Sequence, residues 1–273
     1  MSRNKTVAMK SAHSVVQIVV CMAVLSAVIA FLLPMPEHWH SGRVFFYLPL
    51  ALSLAFVWLH VGAVVIFLSN LSDYKQQLRR SYGFICVCIT LLALGAVQLP
   101  VLTLLDAWDS VWVTTGYVAL PFLLGGLTGY VGVRGLSLLV GNRGLLTKVG
   151  TVVPLIIVLC GISTLLPHVK SSTAEMSYDI ALAILVWSAL SYGVAAWLLG
   201  QVRARIGAHY VETMAWLLTG FVAMVVALLL ATGGNLLSQN IQDGWNIAID
   251  TSGLIAGVLL LRAGLAFAKA KDY

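Results

Sequence analysis

Charge is scarce in this chain: Lys, Arg, Asp and Glu together make up 10% of its 273 residues. That excludes a water-soluble domain, in which roughly a quarter of residues are charged. No lysine falls within a long apolar run, which excludes a retinal Schiff base. Cysteine is sparse too, and Cys21, Cys86, Cys88 and Cys160 all sit in apolar runs as small apolar side chains. Cys86 and Cys88 would point about 200° apart around a helix, so they cannot grip one metal together. There is no P-loop, no HExxH and no Asp-rich diphosphate motif. The Tyr-Asp of "SYDIAL" lacks the Gly-x-Gly-Asp partner that an intramembrane aspartyl protease needs, and "RGLSLL" is not a rhomboid-type serine site.

What the chain has in abundance is apolar length. Hydrophobic residues make up 60% of it, and the mean hydropathy is +0.96. A bilayer crossing needs about 20 such residues. Apolar runs at 12–33, 44–69, 82–105, 112–134, 149–167, 178–200, 210–232 and 246–268 give an expected all-α polytopic bundle of eight spans in one integral membrane domain, 1–273. The first run is too long for a signal peptide and has no small-residue cleavage site, so it is expected to be retained.

Positive charge stays on the cytoplasmic side of a membrane. With both termini inside, the inner segments hold 14 of the 16 basic residues, leaving only Arg43 and Lys170 outside. The outer side holds seven of the ten acidic residues: Glu37, Asp106, Asp109, Glu175, Asp179, Asp243 and Asp250. The net charge of +6 therefore marks an inserted protein beside anionic lipid and no nucleic-acid partner. A bacterial cytoplasmic (inner) membrane is the expected location.

An internal repeat is expected as well. Aligning Tyr47, Tyr117 and Tyr178 brings His60, Tyr130 and Ser191 to one depth, with Gly62, Gly132 and Gly193 two residues on. This predicts three tandem helical hairpins, 44–105, 112–167 and 178–232, flanked by spans 12–33 and 246–268. His60, Tyr130 and Ser191 are expected to form a polar seam bonding across helix interfaces, with a ligand or proton role for His60 as the sharper alternative. Gly125, Gly129 and Gly132 line one face of span four and allow close packing. Pro49, Pro100, Pro121 and Pro154 each free a carbonyl one turn upstream, and Gln98 is placed to satisfy one of these.

Ionisable groups within a span are candidates for function. Asp250 lies five residues past Trp245, about 7 Å below an interfacial belt. It is expected to bind a cation or exchange a proton, with helix-start stabilisation as the plain alternative. Asp179, at the outer end of span six, is the expected second carboxylate. His38, His40, His168 and Glu37 are read as solvated, not as a metal site.

These features favour a transporter or conduit for a small solute or ion, because repeated hairpins, broken helices and midplane polar groups fit a site between repeats. A non-catalytic anchor or assembly subunit, partnered by other membrane subunits, is the first alternative. A haem- or quinone-associated redox subunit is the second, weakened by having only one deep histidine, His60. No enzyme signature is found, and no cofactor is identified.

Overall fold

The computed structural model describes residues 2–32, 43–72, 74–105, 119–141, 174–234 and 239–270. In hydrocarbon no water is present to satisfy backbone N–H and C=O groups, so apolar segments form helices. The helices are α1 (Ser2–Leu32), α2 (Arg43–Leu71), α3 (Gln76–Leu105), α4 (Leu120–Leu139), α5 (Ala174–Arg203), α6 (Ala208–Gly234) and α7 (Gln239–Ala270). All seven are long and apolar enough to cross a membrane. The fifth expected span, 149–167, lies outside the described residues, as do Pro154, His38, His40, His168 and Glu37.

Six helices close a ring: α2 packs on α3, α3 on α4, α4 on α5, α5 on α6, α6 on α7, and α7 returns to α2. Helix α1 lies outside the ring against α2, running antiparallel to it. Trp58 Nε1 donates to Ser26 Oγ at 2.8 Å, and Phe31 meets Tyr47 at 5.5 Å between ring centroids. The far side of α1 exposes Ile18, Val24, Val28 and Leu32, a face for lipid tails.

Two ring contacts join helices that run in the same direction. Along α2 and α7 the contact numbers rise together: Gly253 meets Phe56, Gly257 meets His60, and Gly264 meets Ile66. Helices α4 and α5 do likewise, with Leu123 beside Ile184 and Gly126 beside Ser188 and Ser191. The order of contacts around the ring is therefore the same in the half α2–α3–α4 as in the half α5–α6–α7. His60 and Ser191 are 131 positions apart, as are their neighbours Gly126 and Gly257 across the two seams. The expected three tandem hairpins are not confirmed. Hairpin 112–167 falls partly outside the described residues, and its first helix, α4, serves as the third helix of a half.

Glycine permits the closest approaches. A Cβ on Gly132 would lie 2.7 Å from the Ser81 carbonyl oxygen and 2.9 Å from Ile85 Cγ1, and one on Gly129 would lie 2.9 Å from Cys88 Sγ. The α3–α4 interface thus uses the glycine face expected of span four. Pro121 breaks no helix: it sits in the first turn of α4, where its missing N–H has no partner to lose. Pro49 lies inside α2.

Candidate functional site

Polar and small residues on α2 and α7 meet in step. Ser53, Phe56 and His60 follow a three-then-four spacing, so they share a face of α2. Asp250, Gly253 and Gly257 follow the same spacing on α7 and lie opposite, 197 positions on. At the first level of this seam the Ser53 hydroxyl donates to Asp250 Oδ1 at 3.4 Å, a long hydrogen bond. Asp250 lies about three turns into α7, which begins at Gln239. The favourable dipole at a helix start fades within the first turn, so helix-start stabilisation does not account for this carboxylate.

Beside the pair is a cavity of about 130 Å³. Every ring helix contributes to its wall: Phe56 from α2, Ala96 from α3, Phe122 from α4, Leu185 from α5, Ala227 from α6 and Gly253 from α7. Among the described residues, Ser53 and Asp250 are its only polar lining residues, and Asp250 its only charge. The Lys269–Glu212 contact at 3.9 Å is exposed and elsewhere, so among the described residues Asp250 has no cationic partner.

The offset of 131 positions between the two parallel seams supplies an internal comparison. Ala119 and Ile184 stand 131 positions from Asp250 and Ser53 respectively, and they pack in one buried cluster with Leu123. One seam carries a carboxylate and a hydroxyl where the other carries a methyl and a branched alkyl group. Packing alone is thus met by an apolar pair at this position.

The next level is His60, fully buried. Its Nδ1 lies 2.8 Å from the Phe56 carbonyl oxygen. A carbonyl can only accept, so Nδ1 carries the hydrogen, and in the neutral ring Nε2 is then the acceptor. Nε2 has no partner among the described residues. Phe56 stacks on the imidazole at 3.9 Å and lines the cavity, whereas His60 does not. Ser191 Oγ likewise bonds back to the Trp187 carbonyl oxygen at 2.9 Å. The expected polar seam is therefore corrected: His60 and Ser191 bond within their own helices and belong to two different helix contacts. Each fits against a glycine instead, His60 on Gly257 and Ser191 on Gly126. Tyr130 is buried on α4. Asp179 lies in the second turn of α5, its side chain outside the described set, and α5 and α7 are not ring neighbours.

His60→Leu should change the unfolding free energy by less than about 1 kcal/mol, and leucine should be no worse than glutamine. The substitution removes a buried acceptor without a partner, while the Phe56 carbonyl keeps its helical bond. Thermal unfolding in detergent checks this, and a loss above about 2 kcal/mol would mean that Nε2 has a partner.

Deeper in the bundle the ring is filled. Tyr192 and Phe221 meet edge to face at 5.6 Å, and Cys88 Sγ lies 3.8 Å from the Tyr192 hydroxyl. At the end opposite the cavity, Phe267 packs on Tyr74 at 4.4 Å, Tyr82 at 4.2 Å and Phe67 at 5.1 Å. Among the described residues no group of three His, Cys, Asp or Glu side chains is arranged to hold a metal.

Ser53, Phe56, Phe122 and Gly253 are site residues that the sequence reading passed over. The available signal was the matching three-then-four spacing on the two helices. Compared with protein-family models, curated proteins and solved structures, the chain matches none, and its site is read from its own geometry.

Proposed function

We propose that the protein is a transporter or conduit for a small solute in a bacterial cytoplasmic membrane, and that the cavity is its binding site. The observation that carries this reading is that all six ring helices wall the cavity. The site thus lies between the two halves, where a rocking motion of one against the other changes which side it faces. The cavity lies toward the end where α2, α4, α5 and α7 begin. Lys75, Arg79, Arg203 and Arg205 cluster at the other end, where α2 and α5 finish, so the positive-inside rule turns the cavity outward. In this orientation the Phe67–Tyr74–Tyr82–Phe267 cluster is the inner seal. The offset of 131 also carries the expected span 12–33 to 143–164, which overlaps the expected span 149–167. Eight spans are then a duplicated unit of four, with both termini inside.

Proteoliposomes bathed in a mixed pool of small neutral, anionic and cationic solutes test the proposal, with the lumen read by mass spectrometry. At least one solute class should enter faster than in protein-free vesicles. Ala227→Trp, which fills the cavity from α6, should abolish that entry. No entry of any class, together with subunits co-purifying in fixed ratio, would instead assign the chain to the membrane part of a larger complex.

A further inference from the structure

Resting on the cavity as the transport site, we infer that its solute is a small substituted ammonium, with Asp250 as counter-charge, Ser53 steadying the carboxylate, and Phe56 and Phe122 covering the alkyl groups. Size sets the first bound. A dry cavity of about 150 Å³ holds benzene, so a cavity of about 130 Å³ takes a solute of similar bulk.

Chemistry sets the others. Among the described residues the lining offers three side-chain oxygens, two from Asp250 and one from Ser53. A hard inorganic cation wants about six or more oxygen ligands and would leave much of its hydration uncompensated here. Anions meet a carboxylate with no Lys or Arg among the described residues of the wall. A sugar or other polyol would bury hydroxyls against alkyl and aromatic groups without partners. A wholly apolar solute would close over Asp250 and leave its charge unpaired. A solute with one positive charge and an alkyl surface escapes all four penalties.

The degree of substitution follows from hydrogen-bond capacity. A primary ammonium carries three N–H donors that point away from one another, whereas the described acceptors, Asp250 and Ser53, stand together on one face of the cavity. An alkylated ammonium has few donors or none, and aromatic rings attract such cations. The other half of the ring fills the corresponding position with Ala119 and Ile184. The polar pair is thus an addition to what the fold requires.

Choline and its neutral isostere 3,3-dimethyl-1-butanol are matched probes, differing in charge and hardly in shape. Binding to the purified full chain in detergent should favour choline by at least about tenfold. Asp250→Asn should weaken choline by at least about tenfold and bring the two probes within about twofold. Equal binding of the two probes, no choline binding, or unchanged choline affinity in Asp250→Asn would each overturn the inference. The wild-type ratio decides alone if Asp250→Asn does not fold. Neutral solutes entering vesicles and blocked by Ala227→Trp, without choline binding, would overturn the ammonium assignment and leave transport standing. Choline binding without entry of any solute would do the reverse.

Discussion

Gly132→Val is expected to cost about 3 kcal/mol of folding free energy, the largest stability loss of any single change considered for this bundle. A Cβ there meets the Ser81 carbonyl oxygen at 2.7 Å and the Ile85 backbone nitrogen at 3.1 Å. Backbone atoms cannot turn aside as the end of a flexible side chain can, so α3 and α4 must separate. Lipid tails are as apolar as the helix surfaces, and close packing supplies much of the helix association. Gly83 is the control, because nothing lies within 4 Å of a Cβ built on it. Gly83→Ala should be neutral or stabilise by about 0.5–1 kcal/mol through reduced chain entropy. Thermal unfolding of the two variants side by side separates contact from helix propensity, and equal effects would place the α3–α4 interface elsewhere.

The largest functional effect is expected from making the two seams alike. Ser53→Ile with Asp250→Ala copies the Ile184–Ala119 pair of the other half. Replacing both partners of a polar pair by apolar groups is often neutral or stabilising, whereas removing one strands the other. The double variant should therefore keep its unfolding free energy within about 1 kcal/mol of the parent while solute entry falls at least about tenfold. The added isoleucine also narrows the cavity that Ser53 lines. Full activity with unchanged stability would remove the pair from function. A large stability loss would mean that the halves differ in packing at this position.

Much of this architecture was legible because membrane insertion constrains sequence strongly. Seven of the expected spans correspond to α1–α7, since long apolar runs have no alternative to helix in hydrocarbon. Which spans touch was less legible. The contact of Asp250 with Ser53 joins positions 197 apart, and no local periodicity reports it. The three-hairpin repeat is not confirmed, and its signal is weak for a related reason. Tyr47 and Tyr178 stand near the starts of α2 and α5, Tyr117 lies outside the described residues, and a tyrosine near a membrane interface marks depth, not ancestry. The repeat of 131 leaves few identities, among them Gly62 with Gly193 and Gly126 with Gly257, because lipid-facing apolar residues exchange freely. Asp250 stands out in the sequence for its distance past Trp245, but its helix starts at Gln239, before Trp245. The polar stretch "QNIQDGWN" concealed that start.

Helix α7 closes the ring beside α2, parallel to it and in the register that sets Asp250 against Ser53. Oxidative cross-linking in native membranes tests it most directly. A Cβ on Gly257 would lie 3.1 Å from Leu59 Cβ, close enough for a disulfide to form with a small adjustment. Leu59→Cys with Gly257→Cys should cross-link readily on addition of a membrane-permeant oxidant, giving a linked peptide on digestion. Leu59→Cys with Ala266→Cys, more than two turns further along α7, should remain reduced. Linkage of the Ala266 pair in place of the Gly257 pair, or of neither in the folded protein, would contradict the closed parallel ring and the cavity it encloses.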